Sequence, residues 1–506
     1  MAKAILVATL TTPPSPRGEE LSVLSQAVQW LDVRSDSLGD MDPDRLRRHF
    51  PGRMLYSLRS RAEGGHFEGS DRQRRDRLLR AAQQYDLIDL EGERDLLPEL
   101  LAAIPANKRL ISWHGQSLDT EKLSARFEQL ATVEARLYKL VSTGAQVGDE
   151  LAPLRLLKSL GRSDTIAYAT GQMGFWSRLV APHLGSPMVF GMVAEDRRTH
   201  GEPTIAQLIE DYRLPALTPL NEIYGIVGNP VSHSLSPRLH NAAFQALGYP
   251  ALYVPFQVQS FGDFWREVID AETLPSLGMP LRGLTVMSPH KEAALVVAGP
   301  KSPMVRRAAS TNILFRTNGT WTADTTDPEG VLAILRGRGI PIKRKRAAVV
   351  GCGGAGRPVA AALDQAGAEV MLVNRGLERG QLAASLLGLS FIPLSKFKVE
   401  GFSIVVNATP VGRDGNQQPF AIDRLSEDAV VVDLVYGSEP TPLVRGTRSL
   451  GRVAIEGREV LLTQVLRQFR LMTGWNMSRD LARQVLGWRP EALASAPSGE
   501  MLQPAR

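Results

Sequence analysis

The sequence predicts an α/β protein in which a parallel (β/α)8 barrel is followed by an open parallel sheet with helices on both sides. Three observations support this prediction. Eight short apolar runs alternate with helix-like segments in the first 220 residues, a proline-containing linker lies at 214–222, and AAVVGCGGAG occupies 347–356. Continuous apolar runs are typical of strands that are buried on both faces of a sheet.

Length and composition narrow the class of protein. The 506 residues correspond to about three domains at roughly 100–200 residues each, and an apolar content of 43% excludes global disorder. The single cysteine, Cys352, excludes a disulfide framework and a cysteine-based metal cluster, so we expect a reducing compartment and no metal site. No apolar run approaches about 18 residues, and the amino terminus lacks the features of a signal peptide. We therefore expect a cytoplasmic protein that does not bind membranes.

The net charge of +6 is compatible with nucleic acid or with small anionic molecules as partners. Basic residues cluster at 70–80 (SDRQRRDRLLR) and 343–346 (KRKR), which we interpret as a solvated helix face and a surface connection. Aromatic residues make up only 6% of the chain and do not interleave these clusters, as a base-stacking surface would require. Nucleic acid is therefore the less favoured partner.

Eight apolar runs that start about 20–30 residues apart predict the barrel strands. They are ILVATL (5–10), WLDVR (30–34), MLYSLR (54–59), LIDLE (87–91), RLISWH (109–114), RLYKLV (136–141), TIAYAT (165–170) and PMVFGMV (187–193). Segments such as LSVLSQAVQW (21–30) and EKLSARFEQLA (121–131) predict helices between them.

Several of these runs contain an ionisable residue, and the carboxyl ends of barrel strands form the functional face. Lys139 lies in an otherwise apolar run; it is either a lysine that reaches the surface or a buried amine with a lowered pKa and nucleophilic character. His114 is either a core histidine or a proton carrier at the same mouth. Glu63 could orient that imidazole.

The motifs SLRSRAEGG, LIDLE, ISWHG and ARLYKLV resemble type I 3-dehydroquinate dehydratase over about 1–218. The resemblance implies that Lys139 forms a Schiff base with the substrate, that His114 is the general acid and base, and that Glu63 is its partner. It also implies that Arg34, Arg59 and Arg178 clamp the substrate, which suits recognition of a carboxylate by guanidinium groups. Two further substrate-binding positions depart from the family pattern: Asp32 replaces a glutamate, and Glu202, in THGEP, replaces a glutamine.

The linker LPALTPLNE (214–222) reads as short and stiff, and the strand-turn-helix segment YGIVGNPVSHSLSPRLHNAAF (224–244) follows it. Ser234 and Ser236 in this segment either cap the helix or donate to a polyol. At 351–356 the glycines match G-x-G-x-x-G between a strand and a helix, the pattern that approaches a pyrophosphate. Asn374 and Arg375 follow the next strand in place of an acid. Because an arginine suits a 2′-phosphate, NADP is predicted over NAD, unless Arg375 is an ordinary surface residue.

The second half resembles shikimate dehydrogenase over about 222–475, since GNPVSHSLSP, SPHKE, TNILFR, TTDPEG, GCGGAG, NATPVG and DLVYGSEPTPL occur in order. The resemblance implies that Lys291 and Asp327 form the catalytic pair. It implies substrate contacts from Ser234, Ser236, Met287, Asn312 and Gln464. The implied NADP(H) contacts are Gly351, Gly353, Gly354, Ala355, Gly356, Asn374, Arg375, Thr409, Val435 and Gly457. Met287 and Ile313 stand where the family has threonine, which leaves a preference for quinate open.

Together these observations predict a bifunctional shikimate-pathway enzyme, a lyase and NADP-dependent oxidoreductase acting on 3-dehydroquinate, 3-dehydroshikimate and shikimate. The predicted domains are the barrel (1–218), a substrate-binding domain (222–335), a Rossmann domain (336–475), and a helix with a disordered tail (476–506). The chain is expected to be a monomer or homodimer. The alternatives are a catalytically impaired regulator of quinate or shikimate metabolism and an enzyme with one weakened half.

Overall fold

The structure is a computed structural model, and it describes residues 2–15, 17–195, 201–437 and 439–487. The chain divides into two compact units. The first consists of Met1–Ile223, Phe244–Val258 and Asp263–Leu281, and the second of Tyr224–Ala243, Gln259–Gly262 and Arg282–Arg506. The four domain boundaries proposed from the sequence stay a prediction, and the part of the predicted tail beyond residue 487 lies outside the described residues.

The predicted barrel strands are confirmed, each within two residues of its expected ends. They are Ile5–Leu10, Trp30–Arg34, Arg53–Ser57, Leu87–Glu91, Arg109–Gln116, Leu137–Thr143, Thr165–Thr170 and Met188–Met192. All neighbouring pairs are parallel, and the strand order is 7-6-5-4-3-2-1-8, so that the first strand pairs with both the second and the eighth. This order curls the sheet into a nearly closed barrel.

Helices follow most of these strands. They are Glu19–Leu24, Ser35–Leu38, Pro43–Arg47, Asp71–Gln84, Pro98–Ala103, Thr120–Leu130, Leu151–Leu160, Gly171–Val180 and Ile205–Tyr212. Side-chain caps start several of them: Ser70 forms a capping box with Gln73, and Asp119 accepts from the Lys122 amide. The helix predicted for LSVLSQAVQW is wrong beyond Leu24, because residues 25–29 turn into the second strand.

The linker is more structured than the sequence indicates. Within 214–222, Ala216–Leu217 pairs antiparallel with Ala2–Lys3, and the next strand already begins at Glu222. The Ala4 amide also donates to the carbonyl of Pro215 at 2.9 Å. Backbone pairing with the start of the chain therefore holds this segment, in addition to its proline content.

The glycine-rich stretch opens a six-stranded parallel sheet. Its strands are Arg346–Val350, Glu369–Asn374, Ser390–Pro393, Ile404–Asn407, Val430–Asp433 and Val453–Ile455. Their order in the sheet, counted along the chain, is 3-2-1-4-5-6. This is the Rossmann order, in which a ligand binds outside the carboxyl ends where the strand order reverses. The predicted nucleotide-binding fold is confirmed.

A second sheet precedes it in the chain. Its five strands are Glu222–Gly228, Ala251–Gln257, Leu281–Val286, Ile313–Thr317 and Thr320–Asp324, the last three antiparallel. The helices after residue 222 are Ser236–Leu247, Phe261–Phe264, Thr273–Ser276, Pro303–Ala308, Asp327–Gly337, Gly356–Gln365, Leu377–Leu387, Pro442–Ser449, Gly457–Thr473 and Arg479–Val485. In the described part of the chain, none of the helices combines the length and the hydropathy of a membrane span.

Candidate active sites

Strand periodicity places a polar layer inside the barrel. The inner apolar layer includes Val7, Trp30, Leu55, Leu87, Leu110, Leu137, Ile166 and Met188. Because side chains two residues apart point to the same face of a strand, the residues two positions later also point inward. These are Thr9, Asp32, Ser57, Asp89, Ser112, Lys139, Tyr168 and Phe190. Charged groups on separate strands therefore meet at the carboxyl end, the functional end of such barrels.

Lys139 is 2% exposed within this layer. Its Nζ lies 3.9 Å from the centre of the Phe190 ring, and no acceptor or acid pairs with it among the residues that the structure describes. Burial and the charge of Arg59 lower the pKa of Lys139 to about 8. A much larger share of this amine is therefore neutral near pH 7 than of an exposed lysine, and the neutral amine is the nucleophile toward carbonyl carbon.

His114 and Glu63 form a hydrogen-bonded pair. Glu63 Oε2 lies 2.9 Å from His114 Nδ1 and accepts from the His114 amide at 3.1 Å. Burial and the charges of Arg59 and Lys139 lower the pKa of His114 well below its usual value, so the ring is neutral. Burial and the charges of Glu91 and Asp89 raise the pKa of Glu63 to about 9. The two contacts to Glu63 Oε2 fix the orientation of the imidazole ring.

The second ring nitrogen of His114, Nε2, has no partner in the described part of the chain. Nε2 is buried and has no hydrogen bond to any described residue. An unpartnered buried polar atom in a native site requires an explanation, and a substrate proton is one. Glu63 orients the imidazole, and the role of Nε2 as a base stays a prediction.

The three predicted clamp arginines have different partners. Arg34 makes a bidentate ion pair with Asp36, at 2.9 and 2.8 Å. Arg178 is 3% exposed and pairs with Glu202. Arg59 has no ion pair among the described residues, and burial together with the charge of Arg34 lowers its pKa. Since Arg59 and Arg34 both act on the pKa of His114, the clamp and the base share one site.

Asp32, the predicted departure from the family pattern, is 2% exposed and accepts from two hydroxyls. Ser57 Oγ donates to it at 2.6 Å and Thr9 Oγ1 at 3.2 Å. These contacts hold Asp32 inside the polar layer, where its charge acts on the pKa of Lys139. Asp89, whose role the sequence left undefined, acts on Lys139 in the same direction.

Arg74 corrects one prediction. It lies in the basic cluster at 70–80 that we interpreted as a solvated helix face, yet it is 2% exposed. Its guanidinium pairs with Asp95 at 2.7 and 2.6 Å and with Glu91 at 3.2 Å, and Glu91 also accepts from the Ser60 amide at 2.6 Å. The helix turns this residue toward the strand end, so the cluster is not uniformly solvated. The network supports the loop that carries Arg59 and Glu63.

In the second half, three predicted residues contact the carboxylate of a fourth, Asp327. Lys291 Nζ lies 2.5 Å from Asp327 Oδ2, while Asn312 and Gln464 donate to Oδ1 at 2.9 and 3.0 Å. Asp327 is 4% exposed, at the start of helix Asp327–Gly337. A buried carboxylate with three donors holds the Lys291 Nζ in a defined position.

The other predicted substrate contacts lie in neighbouring loops. Ser234 and Ser236 are buried, and the amide of Ser236, the first residue of helix Ser236–Leu247, donates to Ser234 Oγ at 3.2 Å. The Met287 amide donates to the carbonyl of Val227, and its side chain is half-buried. Ile313 is fully buried in the antiparallel sheet, where its side chain contributes to the core.

The glycine turn has the shape of a phosphate cradle. Gly351 has φ 107°, in the left-handed region that favours glycine. A Cβ on Gly356 would lie 1.8 Å from the Gly351 carbonyl oxygen, so only glycine fits there. A Cβ on Gly354 would lie 2.7 Å from the Lys291 Cβ. The turn includes Gly353 and Ala355 and leads directly into helix Gly356–Gln365. Its backbone lies close to Lys291. These residues fit a dinucleotide pyrophosphate.

The other predicted cofactor residues surround this turn. Asn374 Oδ1 accepts from the Cys352 amide at 3.1 Å, and Arg375 is exposed. The Thr409 methyl would lie 3.0 Å from a Cβ on Gly351, and the Val435 carbonyl oxygen 2.3 Å from one on Gly457. These distances place Thr409 beside the turn and join Val435 to the start of helix Gly457–Thr473.

A second group of charges beside the turn was not predicted from the sequence. Glu292, next to Lys291, accepts from Arg379 at 2.7 Å and pairs with Arg357 at 2.9 Å. Arg379 lies 3.8 Å from the Cβ position of Gly353. The sequence signal for Arg379 was its position in the first turn of helix Leu377–Leu387, close in the chain to Arg375.

Comparison with known proteins identifies relatives of both halves of the chain. A family model described as type I 3-dehydroquinase matches residues 18–218, and one described as the shikimate dehydrogenase substrate binding domain matches residues 226–314. The chain is 28% identical over 491 residues to the bifunctional 3-dehydroquinate dehydratase/shikimate dehydrogenase of Arabidopsis thaliana, covering 90% of this chain and 79% of that protein.

Two further relatives match the second half. The shikimate dehydrogenase (NADP(+)) of Methanocella arvoryzae is 36% identical over 260 residues, covering 50% of this chain and 93% of that protein. The solved structure of Thermus thermophilus shikimate 5-dehydrogenase in complex with NADP(H) and shikimate is 32% identical, covers 52% of this chain and 98% of that one, and has a TM-score of 0.47. The chain belongs to the shikimate dehydrogenase family and carries a type I 3-dehydroquinase domain ahead of that module.

Proposed function

We propose that this chain catalyses two consecutive reactions of the shikimate pathway. The barrel dehydrates 3-dehydroquinate to 3-dehydroshikimate, and the second module reduces 3-dehydroshikimate to shikimate with NADPH. One observation carries the proposal. A buried Lys139 with a lowered pKa and a His114 that Glu63 orients lie at the same end of the barrel. The product of the first reaction is the substrate of the second, so the two modules form a chemical sequence.

Groups at the carboxyl end of the barrel perform each step of the proposed dehydration. The neutral Lys139 amine adds to the ketone, and loss of water forms an iminium ion that makes the adjacent C–H bond acidic. His114 Nε2 removes that proton and then returns it to the departing hydroxyl, which leaves as water. Hydrolysis of the iminium releases 3-dehydroshikimate and regenerates Lys139. Arg59 and Arg178 are the guanidinium groups for the substrate carboxylate, with Arg34 and Asp32 beside them.

In the second module, Lys291 and Asp327 form the catalytic pair. Bound NADPH supplies the hydride. Lys291 Nζ donates a proton to the carbonyl oxygen of the substrate, and Asp327 holds that ammonium in place. Asn312, Gln464, Ser234 and Ser236 are the polar groups for the substrate. The turn at 351–356, with Asn374, Thr409, Val435 and Gly457 around it, is the NADPH site, and Arg375 is the cation for its 2′-phosphate.

Several finer predictions belong to this proposal. We place the protein in the cytoplasm because its only cysteine, Cys352, is a free and buried thiol. A monomer or a homodimer is expected. Met287 is the substrate-site position at which selectivity between shikimate and quinate is to be tested, and the domain ranges derived from the sequence complete the proposal.

In the experiment, purified protein is mixed with 3-dehydroquinate and NADPH. Oxidation of NADPH is followed through the absorbance of its reduced nicotinamide. Oxidation requires both sites, so its absence contradicts the coupled function. Formation of 3-dehydroshikimate and its reduction are then assayed separately. Borohydride added with 3-dehydroquinate should label Lys139, and labelling of any other residue contradicts the Schiff-base assignment. Replacing NADPH with NADH tests Arg375.

A further inference from the structure

Arg178 is built into the barrel wall by three contacts. One Nη atom donates to the Phe190 carbonyl at 2.8 Å, and the guanidinium carbon lies 4.5 Å from the centre of the Tyr168 ring. The other Nη atom pairs with the carboxylate of Glu202. Arg178 is 3% exposed, so its charge is almost removed from water and needs a nearby counter-charge.

Glu202 supplies that counter-charge from a more exposed position. Its side chain is 22% exposed, against 3% for Arg178. The charges of both residues, and those of Arg59 and Asp32, act on the pKa of Tyr168, so the pair lies at the same polar end of the barrel as the reacting groups. The carboxylate of Glu202 therefore occupies the open side of Arg178, from which a substrate would approach.

We propose that Glu202 is a specificity-determining residue that competes with the substrate carboxylate for Arg178. The proposal rests on the function proposed for the barrel, in which Arg178 binds that carboxylate. Both edges of a guanidinium that bind a carboxylate bidentately include Nη2, and Nη2 of Arg178 already pairs with Glu202. The acid of the protein and the acid of the substrate therefore exclude each other there. Two carboxylates close together also repel each other.

The other two arginines determine how large this effect is. Arg34 already has Nε and Nη2 on Asp36. Arg59 has no ion pair among the described residues, so it is the first anchor for an anion, and Arg178 becomes available for bidentate binding only when Glu202 moves away. Glu202 therefore lowers affinity for an anionic substrate without touching the reacting atoms.

Replacement of Glu202 by glutamine isolates this charge, because the amide has the same shape and no net charge. Binding of 3-dehydroquinate is measured by calorimetry without NADPH in a Lys139→Met background, in which no iminium can form. Adding Glu202→Gln should lower the dissociation constant about tenfold, since a competing ion pair is removed. Adding Glu202→Asp, which keeps the charge, should restore weak binding.

Glu195→Gln is the matched control, because Glu195 is an exposed acid on the same connection and its charge is screened by solvent. It should leave the dissociation constant within about twofold. An unchanged or higher dissociation constant in the Glu202→Gln protein overturns the competition and makes Glu202 a direct substrate ligand or a bystander. A complete lack of binding by every variant contradicts the dehydratase function itself, and the inference with it.

Discussion

At the scale of single residues, the four cations of the barrel site differ in function because they differ in partners. Arg34 and Arg178 are neutralised by Asp36 and Glu202, whereas Arg59 and Lys139 have no ion pair in the described part of the chain. Arg59 lowers the pKa of Lys139, and both cations lower the pKa of His114. Burial lowers the pKa of Lys139 and of His114 further. The same placement that makes Lys139 reactive should therefore cost folding free energy.

Lys139→Met should raise the free energy of unfolding at pH 7 by about 1–3 kcal/mol while abolishing dehydration. The pKa of Lys139 is near 8 in the folded protein and 10.5 in an exposed lysine, so below pH 8 the full cost of burying the charge is present. Between pH 8 and 10.5 the folded protein has released a proton that the unfolded chain still holds, and the cost disappears as pH rises.

Urea denaturation at pH 7 and at pH 10.5 tests this expectation. The gain should be present at the lower pH and almost absent at the higher one. Lys122→Met is the control, because Lys122 is exposed on helix Thr120–Leu130 and should change stability by less than about 0.5 kcal/mol. A variant less stable than the wild type at pH 7 would show that Lys139 stabilises the fold.

At the scale of elements, helix Asp71–Gln84 has two adjacent arginines with opposite surroundings. Arg74 is buried with Asp95 and Glu91, while Arg75 is partly exposed and pairs with the exposed Glu99 at 3.2 Å. Arg74→Met should destabilise the protein by about 3–5 kcal/mol, because it leaves two buried acids without a counter-charge. Arg75→Met should cost at most about 1 kcal/mol. Thermal denaturation distinguishes the two, and equal losses would contradict the assigned burial.

The turn between strand Arg346–Val350 and helix Gly356–Gln365 allows a second comparison. Gly356→Ala should weaken NADPH binding at least about tenfold, because the new Cβ would overlap the Gly351 carbonyl oxygen and force the turn open. Gly337→Ala is the control, since its Cβ would meet nothing within 4 Å. Titration of NADPH fluorescence measures both. Unaltered binding by the Gly356→Ala protein would place the cofactor elsewhere.

At the scale of the whole molecule, the two proposed sets of reacting groups lie on one chain. Lys139→Met should remove formation of 3-dehydroshikimate and leave its reduction within about twofold of wild type, because Lys291 and Asp327 keep their partners. Lys291→Met should do the reverse and lower reduction about 10²- to 10⁴-fold. Separate assays of the two reactions measure these effects. Loss of both activities in either variant would contradict their independence.

Local patterns in the sequence determined much of this molecule. The eight apolar runs predicted the barrel strands because burial on both faces leaves a continuous apolar signal. The spacing of Gly351 and Gly356 predicted the cofactor turn, since backbone conformation and close approach there exclude a side chain. These features depend on near neighbours in the chain, so they can be read without the fold.

Only the tertiary structure decided the pairings between distant residues. It showed that Arg74, in a basic cluster, is buried and pairs with Asp95 and Glu91. It also showed that Glu202 forms an ion pair with Arg178. It also joined Gln464 to Asp327 across 137 positions and gave residues 216–217 a partner strand. The charge state of a side chain and its available face depend on which groups pack around it. That packing depends on the entire chain, and so no local pattern carries it.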